Sequence, residues 1–165
     1  MFEIRMTATE LQNFMNQMQA HANLYGLPAV VATELYNQTV KNFEANGRPS
    51  WAGLSPVTKE RRAALGYGSD NILRVRGKLF DAITPFSGSD FAGVGVSHTV
   101  PYAPTQQFGA KKGQFGQSKR GNPLPWGDIP ARPYIPIDKN GNLQPEAEEA
   151  VLGVVTHYLR GLGFN

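Results

Sequence analysis

Apolar positions follow a helical period at both ends of the chain and a strand period only in its middle. Thr7 and Glu10 stand three apart, a hydroxyl and a carboxylate spaced to close a capping box over the first free amides of a helix. Behind them Leu11, Phe14, Met15, Met18 and Ala22 keep helical spacing up to Gly26. Pro28, suited to a first helical turn, opens a second helix predicted to reach about Ala45, with Val31, Leu35, Tyr36, Thr39, Val40 and Phe43 as its buried stripe. The run NGRPSW breaks it. Thr58 is placed to cap a short basic helix, TKERRAAL, stopped by Gly66-Tyr67-Gly68, and another short helical segment fits Lys78 to Ile83. Phe91 to Val96 alternates sides as a strand does, and a second strand is predicted in RPYIPID, ahead of the turn KNGN that engages Asp138. The C-terminal helix is the clearest element. Pro145 begins it, Glu146, Glu148 and Glu149 favour its positive end, and Ala150, Val151, Val154, Val155, Tyr158, Leu159 and Leu162 form its apolar face.

Helices at both ends with strands between them predict an α+β fold: a small antiparallel β-sheet packed with N-terminal and C-terminal helices. At 165 residues the chain is expected to be a single domain spanning 1–165, large enough to bury roughly 68–70% of its unfolded surface without a disulfide or metal staple. The early methionines and phenylalanines, at helical spacing, read as core rather than as a ligand-binding stripe. No apolar run approaches the 18 or more residues of a membrane span, so the chain is expected to be soluble and unexported.

Charge changes this picture in one place. Residues 101–132 hold Lys111, Lys112, Lys119, Arg120 and Arg132 against Asp128 alone, a local balance of +4 in a chain of net charge +3, so everything else sums to −1. Residues 101–136 also hold five of the 18 glycines and seven of the 12 prolines. Such a segment cannot be helix, and little of it can be central strand. It reads as a long basic Gly/Pro-rich loop, about 101–128, with its most mobile part at 109–121.

Reactive chemistry is hard to assemble from these residues. With no cysteine there is no thiol nucleophile or thiolate metal site, and His21, His98 and His157 are too far apart for a local ligand pattern. Gly109 to Gly121 has the glycines of a phosphate-cradling loop, but no lysine follows the last glycine into a helix, and Pro123 and Pro125 forbid that helix. No G-x-S-x-G pentapeptide occurs, Ser69 and Ser87 read as loop serines, and the acids are committed to helix starts and turns. No catalytic, cofactor-binding or metal-binding residue is assigned, and the chain is expected not to be an enzyme. Two classes of binding function stay open. The basic residues interleaved with Phe108 and Phe115 suit phosphate neutralisation and base stacking, as in single-strand binders. They equally suit an arm that orders against a partner protein.

Four separated blocks favour the second class. WAGLSPVTKERR (Trp51 to Arg62), ILRVRGKLFDAI (Ile72 to Ile83), YAPTQQFG (Tyr102 to Gly109) and IPARPYIPI (Ile129 to Ile137) together resemble the virion morphogenesis, or tail completion, proteins of Mu-like and P2-like tailed bacteriophages. Order and spacing match over about residues 1–160. The second block of such proteins tends to carry a threonine before its glycine and a late serine, where this chain has Arg76 and Asp81-Ala82. The resemblance implies a structural protein of the neck or upper tail, a tail completion or tail terminator protein active in head–tail joining. It implies a homo-oligomeric ring, expected to be hexameric, with tail tube and sheath or head-connector proteins as partners and passing contact with genomic DNA. It implies a place in the virion after assembly in the host cytoplasm, no membrane, no reaction and no cofactor. The candidate interface residues are Trp51, Phe108, Lys111, Lys112, Phe115, Lys119, Arg120 and Arg132. Leu54 and Tyr134 read as buried anchors, Trp51 as a buried or an interface anchor, and Arg132 as paired to a local carboxylate or facing the next subunit. The alternative is a DNA-contacting module that uses the basic loop 109–121.

Overall fold

The computed structural model describes Thr9, Gln12, Asn13, Met15 and residues 24–68 and 71–162. The capping box of Thr7 and Glu10, most of the first predicted stripe, His21 and Ser69 lie outside the described residues. The elements are α1 (Leu27–Glu44), α2 (Pro56–Ala64), α3 (Lys78–Asp81), β1 (Ile83–Ser87), β2 (Ala92–Val96), α4 (Ala103–Phe108) and α5 (Pro145–Gly161). β1 and β2 pair as a two-stranded antiparallel sheet, so the fold is α+β as the pattern predicts. Contacts divide the chain into two compact units: Met1–Gln38 with Thr84–Gly95 and Pro136–Asn165, and Thr39–Ile83 with Val96–Ile135.

The first unit is organised by α5. Pro145 stands in its first turn with Glu146 and Glu148, and Arg160 in its last, each charge complementing the nearer end of the helix dipole. Val151 and Val155, one turn apart, pack with Met15, Leu24, Leu27 and Val31, and Leu35, Ala92, Tyr158 and Leu159 close around them. The buried row is Ala147, Val151 and Val155. The predicted face is therefore rotated slightly: Val154 is half-buried and Leu162 exposed, because a core this small accepts one row of side chains rather than a broad stripe. Asp138 holds the turn ahead of α5, accepting from the N–H groups of Asn140 at 2.7 Å and Asn142 at 2.9 Å. The bonds from Asn142, side chain first and then backbone, are the largest causes that keep its carboxyl below the usual carboxylate range.

In the second unit the aromatic residues gather on Phe43. Trp51 meets it edge-on with ring centres 5.7 Å apart, Phe80 at 5.1 Å and Tyr134 at 5.6 Å, and the Arg74 guanidinium lies 4.2 Å over the Phe80 ring. Trp51 reaches this cluster because the chain reverses after α1 through Asn46 and Gly47, both with positive φ. A Cβ on Gly47 would stand 2.3 Å from the indole, so no other residue fits beneath it.

Three predicted details are corrected. The cap of α2 is Ser55, whose Oγ accepts from the Thr58 N–H at 3.3 Å, with Pro56 opening the helix; Thr58 serves the cap from inside the first turn. RPYIPID forms no strand. Pro133 and Pro136 remove two ladder donors, and only a single bridge, Ile137 to Leu143, closes across the turn. The partner of β2 is instead β1, ITPFS, which has one buried residue and no alternation to reveal it.

Val151→Asp puts an unpaired charge where a side chain is 1% exposed. Loss of about 3 kcal/mol or more is expected from urea unfolding; a wild-type midpoint would show that α5 is not docked on this core.

Candidate functional site

The site begins with a segment that side chains, not strands, hold extended. The Gln107 amide oxygen, projecting from α4, accepts from the Tyr134 and Ile135 N–H groups, both at 3.0 Å, and its Nε2 donates to the Ile135 carbonyl at 3.0 Å. Asn42 of α1 donates to the Tyr134 carbonyl at 3.1 Å and the Trp51 indole to that of Pro133 at 3.1 Å. The Arg132 N–H donates to the Gln106 carbonyl at 2.8 Å. A proline-rich stretch that cannot join a sheet thus has its buried polar groups met one by one.

This fixes Arg132 at the floor of a cleft of about 790 Å³. Arg132 is 8% exposed, and its Nε and Nη2 donate to the carbonyls of Ala52 at 3.1 Å and Gly53 at 3.2 Å. Among the described residues it has no carboxylate partner. Burial first, and then the neighbouring Arg62 cation, pull its guanidinium below the usual arginine range. Arg62, Arg76 and Lys78 line the same cleft, whose apolar wall includes Leu54, Ile72 and Ile129. Leu73, also in the lining, has φ +65, a left-handed conformation that costs a non-glycine residue about 1–2 kcal/mol. The single carboxylate in the lining, Asp128, is engaged elsewhere: its Oδ1 accepts from the Lys112 N–H at 2.8 Å and its Oδ2 from Lys111 Nζ at 2.9 Å. The Lys112 backbone bond, ahead of the Lys111 side chain, holds the Asp128 carboxyl below its usual range. Among the described residues the cleft therefore presents net positive charge, and every lining residue except Asp128 comes from one of the four blocks quoted above.

The basic segment is not an open arm. Ala110 and Ile129 exchange two backbone bonds, Gly113 donates to Pro125, Phe115 to Leu124, Leu124 to Gly116 and Ser118 to Asn122, which closes 110–129 into an irregular hairpin. Proline lacks a donor but still accepts, and here the Pro125 carbonyl does so. Gly109 sets the hairpin's base, since a Cβ there would come 2.7 Å from the Ile129 carbonyl oxygen. Lys119 and Arg120 lie exposed at the tip, while Phe108, Phe115 and Trp126 leave their rings largely in solvent, Trp126 most of all at 73%.

Of the sequence candidates, Trp51 is in the aromatic core and Arg132 in the cleft floor; Phe108, Phe115, Lys111, Lys112, Lys119 and Arg120 lie at or along the hairpin. Trp126, Arg62, Arg76 and Lys78 were missed. The three cations fall inside the quoted blocks, yet nothing in their spacing signals that they converge; Trp126, amid prolines and glycines, had the same local signature as Trp51. Among the described residues no helix is long and apolar enough to cross a membrane.

The sequence profile of the phage virion morphogenesis family matches residues 4–160. The chain belongs to that family. Comparison with curated proteins and with solved structures returns no match. Membership in the phage virion morphogenesis family gives the protein a structural role in building the phage particle and associates it with the virion. In this family member, the cleft and the hairpin are the two surfaces on which such a role can be tested.

Gln107→Leu keeps the side chain's volume but removes three hydrogen bonds to the 134–135 backbone. A loss of about 2–4 kcal/mol is expected in urea unfolding, and a variant as stable as wild type would show that water or rearrangement replaces those bonds. Tyr134 gives a pH test. Burial raises its phenol to about 12 from an ordinary 10.0, while its hydroxyl donates to the Ala103 carbonyl at 3.2 Å. Because the folded chain holds this proton more tightly than the unfolded chain, the associated stability is complete below about pH 10 and is lost as pH rises toward about 12. Unfolding midpoints across that window should fall less steeply in Tyr134→Phe; equal slopes would place the phenol in water.

Proposed function

We propose that the protein is a tail completion or tail terminator protein of the neck or upper tail, acting as a homo-oligomeric, hexameric ring where the finished tail meets the filled head. Its partners in this reading are further copies of itself and the tail tube and sheath or head-connector proteins; it catalyses no reaction and needs no cofactor. The observation that carries the reading is family membership over residues 4–160. Two features of the second unit support it: a cationic cleft built from four distant blocks, and a hairpin that leaves large aromatic rings in solvent, both suited to contact with other chains. A second reading, direct contact with DNA, draws on Lys119 and Arg120 at the hairpin tip near exposed Phe115 and Trp126.

The test is complementation. Extracts from infections lacking this protein should accumulate filled heads and tails that fail to join, and added protein should restore joined, infectious particles with a ring visible at the neck. His21→Gln, His98→Gln and His157→Gln should each restore joining to at least about half the wild-type level, since the reading gives no histidine a chemical role. Particles that join without the protein would remove the neck assignment, and a folded, assembled but inactive histidine variant would overturn the non-enzymatic reading. Affinity for single-stranded DNA that falls about tenfold or more with added salt would favour the second reading.

A further inference from the structure

The cleft has an unmet electrostatic demand. A guanidinium as buried as that of Arg132 ordinarily has a carboxylate beside it, because carbonyl oxygens satisfy its N–H groups but not its charge. Here the two acceptors are neutral carbonyls, and the charge that acts on it is another cation, Arg62. Arg76 and Lys78 add exposed positive charge on the same wall, with Arg76 steadied by the Tyr67 hydroxyl at 3.0 Å. Asp128 answers Lys111 rather than these groups. Asp81, packed over Gly77 at the edge, is not part of the lining. Among the described residues no free carboxylate faces these cations, so the cleft suits an anion, and the apolar residues between the cations suit one that comes with hydrocarbon attached. That favours an acidic polypeptide over a nucleic-acid backbone, which offers phosphates but no small apolar side chains.

We infer that the cleft receives the acidic first turns of α5 from a second copy of this chain, pairing Arg76, Lys78 and Arg132 with Glu146 and Glu149. The sequence there is Leu143-Gln144-Pro145-Glu146-Ala147-Glu148-Glu149; beside its carboxylates Pro145 is exposed and Leu143 half-buried, while Ala147 faces the chain's own core. Glu146 and Glu149 are exposed and have no ion pair among the described residues. The helix dipole accounts for acids in the first turn, Glu146 and Glu148, but Glu149 lies beyond it. A cleft on one copy and a turn on the next make a heterologous contact, the kind that closes into a ring when the rotation between neighbours allows. The inference rests on the ring reading above for its occupant, and it specifies which surfaces meet.

Two measurements on the 165-residue protein separate the inference from that reading. In the first, a fluorescent synthetic peptide of residues 140–152 is titrated with wild-type protein and with Arg76→Glu/Lys78→Glu, whose substituted side chains are exposed and whose fold is checked by thermal melting. Wild type should bind at low salt, with at least tenfold weaker binding by the variant and by wild type toward a peptide carrying glutamine at 146, 148 and 149. No binding, or equal binding of the neutral peptide, overturns the inference. So does release of the bound peptide by an excess of single-stranded oligonucleotide but not by an excess of unlabelled peptide. In the second, sedimentation follows self-association of Arg76→Glu/Lys78→Glu, of Glu146→Lys/Glu149→Lys, and of their mixture. Each alone should stay at least tenfold less associated than wild type, and the mixture should recover, because each variant then offers the other a complementary surface. Rings that persist in both variants overturn this contact and leave the ring standing. A wild type that binds the peptide yet forms no ring in solution or at the neck removes the ring and leaves the cleft's specificity.

Discussion

The second unit depends on one side-chain amide. Gln107 grips the backbone of Tyr134 and Ile135 on both sides, taking two N–H groups with its oxygen and giving its own N–H to a carbonyl. Sheet pairing would ordinarily supply these bonds, but prolines at 133 and 136 exclude it. Each bond contributes only about 1 kcal/mol net, yet leaving a buried partner unmet costs about 1–3 kcal/mol, so the arrangement is strongly determined once formed. Asn42 and Trp51 complete it from two other elements. The Tyr134 ring is thereby held against Phe43, and Arg132, two residues earlier, is held at the cleft floor.

That placement is costly as pure architecture. A hydrophobic residue of similar length at 132 would avoid desolvating a guanidinium, and buried charges are often replaceable by apolar residues with no loss of stability. The strained φ of Leu73 in the same lining adds a second local cost. Unfavourable terms gathered in one concave, charged place mark it as a candidate binding surface.

Much of this was legible in sequence where local signals agree. α5 has a proline start, acids at its positive end and an i, i+4 apolar row, and α1 has a proline start and a glycine-bearing break, so both are found within a residue or two. Legibility fails where the bonding is between side chain and distant backbone. RPYIPID resembles a strand because it is a short apolar run ahead of a turn, but its hydrogen-bond partners are Gln107, Asn42 and Trp51, separated from it by up to 92 positions. ITPFS is a strand with nothing periodic about it. The glycine- and proline-rich segment reads as open loop because proline's missing donor is visible in sequence, whereas its available carbonyl is not. Two tryptophans in similar company part ways for a reason only the turn explains: Gly47 leaves room for Trp51 to lie down, and no such partner takes Trp126.

The cleft and the hairpin make different demands on a partner, and Asp128 belongs to both. Its carboxylate closes the hairpin's base through Lys111 and the Lys112 backbone while its residue lines the cleft. The Lys111 ion pair is exposed on both sides, so it is worth little by itself. Both partners of the Asp128 carboxylate, Lys111 and the Lys112 backbone, belong to the hairpin. The hairpin in turn holds Phe115 and Trp126 in water, a cost that burial against another chain would reverse. One surface is cationic and concave and the other is aromatic and exposed, so the two differ in the chemistry each could meet.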